Sequence, residues 1–174
     1  MASIVFVTGL QESGMDTVMD MVLEGSRNSL EKLKHIRFSN LGLGRLGESP
    51  ARDIRKARDL FYKSVERQVS DALKSGMSVV LEGPLTLKTG NGYLPLVPSE
   101  FFESFAPEAI MLFEVQADKG QEADMTQQQI NRAYAAMHAS LSGCSLKLVQ
   151  IAKGRVKDSI KESTEVMLSV LGRL

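Results

Sequence analysis

The sequence predicts an α/β three-layer sandwich: a parallel five-stranded sheet with helices on both faces, folded as one domain over 1–174. Five short apolar runs alternate with longer helical patterns, which is the signature of βαβ units. Three of those runs are almost unbroken Val, Ile, Leu and Phe, as strands covered on both faces require. A loop bracketed by two glycines follows the first run, where open parallel sheets place their ligands.

The first strand is "SIVFVTG" (3–9), and "GLQESGMDT" then leads into a helix. "KHIRF" (34–38) is a more polar strand, suited to a sheet edge. A helix within 51–74 repeats Ile54, Ala57, Phe61, Val65, Val69 and Leu73 at spacings of three and four, and Gly76 stops it. "MSVVLEG" (77–83) is the third strand. With two glycines and two prolines, "KTGNGYLPLVP" (88–98) reads as an ordered loop. "AIMLFEV" (109–115) and "LKLVQI" (146–151) complete the sheet. Helices cover about 125–141 and 156–171, the last with Val156, Ile160, Met167 and Leu171 on one side. The carboxyl ends of the first four strands are Gly9, Ser39, Glu82 and Glu114.

Composition narrows the function classes. Lys plus Arg and Asp plus Glu are each 21, so the total carries no nucleic-acid footprint. Cys144 is the single cysteine, read as a small buried residue rather than a nucleophile, and no disulfide or metal spacing exists. His35 and His138 have no second ligand or general-base partner in view and read as structural. Met15, Met19 and Met21 read as core or rim filling. No basic stretch precedes the first apolar run, which is far too short to span a bilayer, so a cytoplasmic protein without a membrane partner is expected.

The first loop has the frame G-x-x-x-x-G-K-[ST] of a phosphate-binding loop, hence of a P-loop NTPase-like sandwich. Gly9 and Gly14 keep the frame, and Thr17 is available as a helper hydroxyl. Met15 holds the lysine position, Asp16 the magnesium-binding hydroxyl position, and Glu12 lies inside the loop. Relative to glycine, lysine and threonine at those places, the loop has moved three charge units against an anion. One unit pair at about 4 Å and a dielectric near 20 is worth on the order of 4 kcal/mol. A helix end returns only about 1 kcal/mol. Glu12 and Asp16 are expected to cap their own helix, with Asp16 as a direct metal ligand the alternative.

The later motifs are more specific. "LKTGNGYLPLVP" resembles the [IL]-K-T-P-x-G-Y-L-P-G-L-P segment of the archaeal-type adenylate kinases, through Lys88, Thr89, Gly92, Tyr93, Leu94, Pro95 and Pro98. "INRAYAAMHASLSGCSLKLV" is similar to that family's N-R-A-A-A-x-A-x-A-V-L-[TA]-G-[AS]-x-[VT]-K-[IV], through Asn131, Arg132, Ala133, Ala135, Ala139, Leu141, Gly143 and Lys147. "RDIRK" (52–56) resembles its R-D-x-M-R-K, near the monophosphate acceptor site. The resemblance implies a five-stranded parallel sheet, a site for ATP and AMP with magnesium, and a homo-oligomer, often a trimer.

The departures fall on the chemistry. The family's Asp-Thr-His triplet is Glu82-Gly83-Pro84, and Asn40 stands where an acidic residue is usual. The arginine-rich lid of relatives is replaced by "QADKGQEADMTQQQ" (116–129), which has no arginine and is expected to be too short for a full lid. Phosphoryl transfer depends on positioning and electrostatics, so these losses matter greatly. The expected protein is a pseudoenzyme with a degenerate Walker A loop, no catalytic residues, no metal and no cofactor. Its residual nucleotide-binding candidates are Gly9, Gly14, Asp16, Thr17, Arg55, Glu82 and Arg132. Arg132 is either an anion ligand or an ion-pair partner of Glu82 or Glu114; Arg55 is either an anion ligand or plain surface. Glu82 could hold magnesium through water or pair with Arg132, while Lys88 and Tyr93 shape the loop. An active nucleoside monophosphate kinase (ATP + AMP = 2 ADP) is the alternative. So is a component of a large cytoplasmic assembly such as the ribosome, bound through an RNA-binding patch built from 27–37 and 52–58.

Overall fold

The computed structural model describes residues 2–10, 13–30, 32–48, 52–116, 122–151 and 155–172. Its elements are β1 (Ile4–Thr8), α1 (Met15–Gly25), β2 (Leu33–Arg37), a 3-10 turn (Phe38–Leu41), α2 (Leu43–Gly47), α3 (Ile54–Lys74) and β3 (Ser78–Glu82). There follow β4 (Thr86–Thr89), β5 (Gly92–Pro95), α4 (Ser99–Phe105), β6 (Ala109–Val115), α5 (Glu122–Ser142), β7 (Ser145–Ile151) and α6 (Val156–Leu171). The main sheet is parallel, five-stranded and ordered β2-β3-β1-β6-β7. Among the described residues no helix is long and apolar enough to cross a membrane.

Alternation along the strands divides the core in two. Ile4 and Phe6 face one layer with Phe61 and Val65 of α3, Phe101 and Phe102 of α4, and Ala135 and Ala139 of α5. Val5 and Val7 face the other, with Met15, Val18 and Met19 of α1 and Val166 and Met167 of α6. Both faces of β1, β3 and most of β6 are therefore buried, which is why those runs are continuously apolar. Each fully buried Phe, Leu or Val contributes about 1.5–3 kcal/mol. α3 buries Phe61, Val65, Val69 and Ala72, and it ends where Gly76 turns left-handed at φ 72°. β2 takes the sheet edge expected of it.

Several expectations are corrected. Residues 88–98 are not simply a loop: β4 and β5 form an antiparallel hairpin pairing Lys88 with Tyr93 and Thr89 with Gly92. Gly90 and Asn91 make its two-residue turn, Gly92 supplies φ 108°, and the Thr89 hydroxyl accepts from the Asn91 N–H and donates to the Gly92 carbonyl. The glycines that suggested a break are hairpin chemistry. The 3-10 turn and α2 after β2 had no periodic signal. Cys144 is half-buried rather than buried, its thiol 3.3 Å from the Ser142 hydroxyl. Val156 is exposed, and Ser159 and Ser163 occupy buried positions on α6 instead. The lid replacement is described in part: from Glu122 onward it is the start of α5, and residues 117–121 lie outside the described residues.

His138 is structural. It is buried, stacks on Phe102 at 4.0 Å, and has neither ring nitrogen hydrogen-bonded. Burial holds its pKa below the usual histidine value. The neutral form is thus favoured by folding, and the stability it permits is lost as pH falls below about 6.5. His138→Leu removes two unpaired polar atoms at similar volume. The acid limb of stability against pH is expected to flatten in this variant, read from urea midpoints between about pH 5 and 7.

Candidate functional site

Parallel pairing brings the carboxyl ends of β1, β3 and β6 together, with Val7 opposite Glu82 and Thr8 opposite Leu112. The chain leaves β1 through Gly9, where an added Cβ would lie 3.0 Å from the Phe113 carbonyl oxygen and 3.2 Å from the Met15 sulfur. A Cβ there would be crowded, so glycine suits that approach. The loop then closes on itself. Ser13 donates its N–H and its hydroxyl to the Leu10 carbonyl, and its hydroxyl oxygen accepts from the Met15 N–H at 3.3 Å. Gly14 enters α1 at φ 84° with no side-chain cap on the helix.

Met15 is 2 % exposed and belongs to the core layer under the loop. A lysine in this position would have to leave that layer to reach a phosphate. Asp16 does not cap α1, contrary to expectation: its carboxyl lies within hydrogen-bonding reach of Glu82. Glu12, the other expected cap, lies outside the described residues.

Glu82 is the buried anion of the site, 2 % exposed. Its partner is not Arg132. One oxygen accepts from Arg37 Nε at 3.0 Å, and the other meets His35 Nε2 at 2.6 Å. Arg37 spans from the end of β2 to α1, donating also to the Asp16 carbonyl at 3.1 Å and to Asp20 at 2.8 Å. Burial opposes the Arg37 charge, but the hydrogen bond to Asp20 and the Glu82 charge outweigh it, so its pKa is raised. Asp16 is pushed up by burial first, then by the hydrogen bond to and charge of Glu82, against the opposing pull of Arg37.

That direction gives a test. A carboxyl with a raised folded pKa is destabilising when ionised, so its contribution improves as pH falls and worsens as pH rises through the folded pKa. Asp16→Asn should raise Tm at pH 7, and the gain should vanish toward pH 4. Because the group is half-exposed, the gain should stay within about 1 kcal/mol, or roughly 2–4 °C. A lower Tm at pH 7 would mean that Asp16 is held ionised.

Space at this mouth is small. A cavity of about 20 Å³ is lined by Met15, Asp16, Arg37, Phe38, Ser39, Leu43, Glu82, Gly83 and Pro84. That volume, bounded by described residues alone, is about the size of one water. Gly83 underlies it with the Phe38 ring packed directly against its Cα.

α5 closes the other flank. Gln128 accepts from the Val115 N–H at 2.9 Å and donates to its carbonyl at 3.0 Å. Asn131, 1 % exposed, accepts from the Leu85 N–H and donates to the Thr8 hydroxyl. Arg132 pairs through two nitrogens with buried Glu114, which Gln150 also reaches at 3.1 Å. Of the sequence candidates, Gly9, Gly14, Asp16 and Glu82 thus converge, while Arg132 is held at the β6 end. Thr17 is exposed on α1, and Arg55 is exposed on the first turn of α3 with no ion pair among the described residues. Sequence reasoning missed Arg37, the His35–Glu82 bond and the bridging by Asn131 and Gln128. Position at a strand's carboxyl end was the signal for Arg37. Among the described residues, no group of three or more His, Cys, Asp or Glu is placed to hold a metal ion.

Comparison with known proteins sets this site in a family context. No family model matches the sequence. The chain is 24 % identical to the adenylate kinase of Methanothermobacter thermautotrophicus over 190 aligned positions, covering 94 % of this chain and 98 % of that one. It is 22 % identical to the adenylate kinase of Methanopyrus kandleri, covering 98 % of this chain and 100 % of that one. In fold it is similar to the solved structure of thymidylate kinase from Candida albicans, with TM-score 0.57 and 11 % identity over 97 % of this chain and 92 % of that one. The full-length similarity and the β2-β3-β1-β6-β7 sheet agree: the chain is a divergent, adenylate-kinase-like protein of the P-loop kinase fold.

Proposed function

We propose that this protein is a non-catalytic relative of the adenylate kinases, retained in the cytoplasm as a binding or structural module. One observation supports the reading: the lysine position of the loop is buried and an arginine already lies paired at the loop mouth. Met15 is drawn into the core, and Glu82 and the Asp16 carbonyl hold Arg37 across the mouth of the loop. An arriving phosphate would meet two carboxylates and a cation already paired. The degenerate Walker A loop and the arginine-free stretch after β6 point the same way.

The test is direct. ATP-Mg, AMP and a bisubstrate dinucleotide at millimolar concentration are expected to leave Tm unchanged, since any ligand of the native state stabilises by linkage. A coupled assay for ADP should read as buffer, with an Arg132→Ala preparation controlling for contaminating kinase. Micromolar affinity or turnover near 10 per second, roughly an average enzyme rate, overturns the proposal. It would favour the second reading, supported by the relatives' activity, of an adenylate kinase whose Asp16 and Glu82 hold the metal.

Restoring the loop separates binding from chemistry. Glu12→Gly, Met15→Lys and Asp16→Thr together return three charge units and the magnesium hydroxyl. This variant is expected to gain ATP affinity in calorimetry, because Gly9 and Gly14 still shape the turn. It should remain slow, since lid-type arginines are worth roughly 10³–10⁵ in rate. Fast turnover would assign that role to Arg132 or Arg55.

A ribonucleoprotein partner is weakly supported on charge. Arg52 pairs with Asp53, Arg58 with Asp59, and Arg37 with Asp20 and Glu82, which lowers the charge that 27–37 and 52–58 present. Filter binding of structured RNA across a salt series tests that reading, and a steep salt slope would support it.

A further inference from the structure

The β4–β5 hairpin carries a chemistry that the phosphate loop does not explain. Asn91-Gly92 at its tip is the single Asn-Gly pair among the four asparagines of the chain. Asparagine is a chemically labile residue. Its side-chain amide is attacked by the next main-chain nitrogen, and a following glycine offers no Cβ to block the approach.

The fold treats the four asparagines differently. Asn131 is 1 % exposed, with Oδ1 accepting from the Leu85 N–H and Nδ2 donating to the Thr8 hydroxyl. It also lies inside α5, which holds the backbone on both sides of it. Asn40 is exposed, but it sits in the 3-10 turn and precedes the branched Leu41. Asn28 is exposed in the turn after α1, where the Cβ of Ser29 crowds the attack. Asn91 has none of these protections. Both Asn91 and Gly92 are exposed, and the Asn91 side chain makes no hydrogen bond among the described residues. Chain neighbours aside, no heavy atom lies within 4 Å of the place a Gly92 Cβ would take, so a ring has room to form.

The closed turn pairs Thr89 with Gly92, so the attack runs through opening of the tip. That opening is local. β4 and β5 pair only with each other and do not join the main sheet. A two-stranded hairpin is marginal by itself, and its exposed end opens far more often than the core.

We infer that Asn91 is a self-modification site, converted in the folded protein to a mixture of aspartyl and isoaspartyl residues. Hydroxide takes the Gly92 main-chain proton, and the nitrogen attacks Asn91 Cγ. The new C–N bond closes a five-membered imide, while the old one breaks and ammonia leaves with a proton from water. Water then opens the imide. Cleavage at Cγ gives aspartate, and cleavage at the main-chain carbonyl gives isoaspartate, with the chain running through Cβ. Either product adds one carboxylate beside Lys88, on a chain of zero formal charge. The isoaspartyl form also lengthens the main chain within the turn. The Thr89 hydroxyl, which bridges the Asn91 N–H and the Gly92 carbonyl, then loses its fit, and the Lys88–Tyr93 pairing loosens with it.

Peptide mapping by mass spectrometry on intact protein, aged at mildly alkaline pH, tests this. The Asn91 peptide should gain the mass of an amide-to-acid change about tenfold or more faster than the Asn28 peptide, with Asn131 unchanged. Isoaspartate-specific carboxyl methylation should label that peptide, and the aged protein should exchange its hairpin amides faster. Asn91→Ser should abolish both changes. In urea, the Asn131 rate should rise steeply and the Asn91 rate only slightly, because the hairpin tip already opens in the native state. An Asn91 rate as slow as that of Asn131 in folded protein overturns the site. So does a lead taken by Asn28, or an Asn91 reaction that appears only on global unfolding.

Discussion

Gly83→Ala is expected to destabilise the protein by about 3 kcal/mol, near the upper end for overpacking a core. The added methyl would sit 2.1 Å from Phe38 Cδ2 and 2.7 Å from Phe38 Cβ. The ring cannot retreat easily, since it packs edge-on against Phe6 at 6.0 Å and Phe61 at 5.2 Å. Urea unfolding should show a lower midpoint at unchanged slope. Adding Phe38→Leu should recover part of the loss. If Gly83→Ala alone costs less than about 1 kcal/mol, the strand-three loop is looser than this packing implies.

Glu82→Ala should cost a similar amount by a different route. Removing one member of a buried, hydrogen-bonded charge pair costs about 3–5 kcal/mol, because the partner is left uncompensated. Here His35 loses its carboxylate while Arg37 keeps Asp20, and relief of the Asp16 carboxyl offsets a little, so the low end, about 3 kcal/mol, is expected. A double-mutant cycle with Arg37→Met should return a coupling above about 1 kcal/mol. The variant also carries a second readout. With Glu82 gone, Arg37 keeps only Asp20 and the Asp16 carbonyl, and inorganic phosphate should raise the Tm of Glu82→Ala more than that of the parent. Equal phosphate responses would mean that Arg37 stays locked on Asp20.

How much was readable in advance follows from which physical signals are local. The buried strands declared themselves because both faces of β1, β3 and β6 must be apolar. α3 did so because Ile54, Ala57, Phe61, Val65, Val69 and Leu73 recur at helical spacing, although Ala72 rather than Leu73 is the fully buried residue of its last turn. The β4–β5 hairpin was misread because Gly90, Asn91 and Gly92 are equally turn and loop residues until the flanking segments are paired. The loop's altered charge was plain, yet its compensation was not. Arg37 lies in a polar edge strand, and its contacts with Glu82 and Asp16 join residues distant in sequence. Likewise, Asn131 and Gln128 sit in a helix whose pattern says nothing about the strand ends they bond. Long-range polar pairing leaves no periodic trace.

Helix α5 carries its own consequence. Gln128, Asn131 and Arg132 fasten it to Val115, to Thr8 and Leu85, and to Glu114. Kinases that clamp a substrate commonly need segments at this edge that swing on the microsecond-to-millisecond scale. A helix pinned within about one turn to two neighbouring strands and the segment after a third cannot swing without breaking several bonds at once. Its opening should therefore be nearly as rare as global unfolding. In native-state exchange, the amides of Leu85 and Val115, whose acceptors are the Asn131 and Gln128 side chains, should be among the last to take up deuterium. This edge of the sheet behaves as a keystone rather than a hinge, and motion must be sought at the opposite rim.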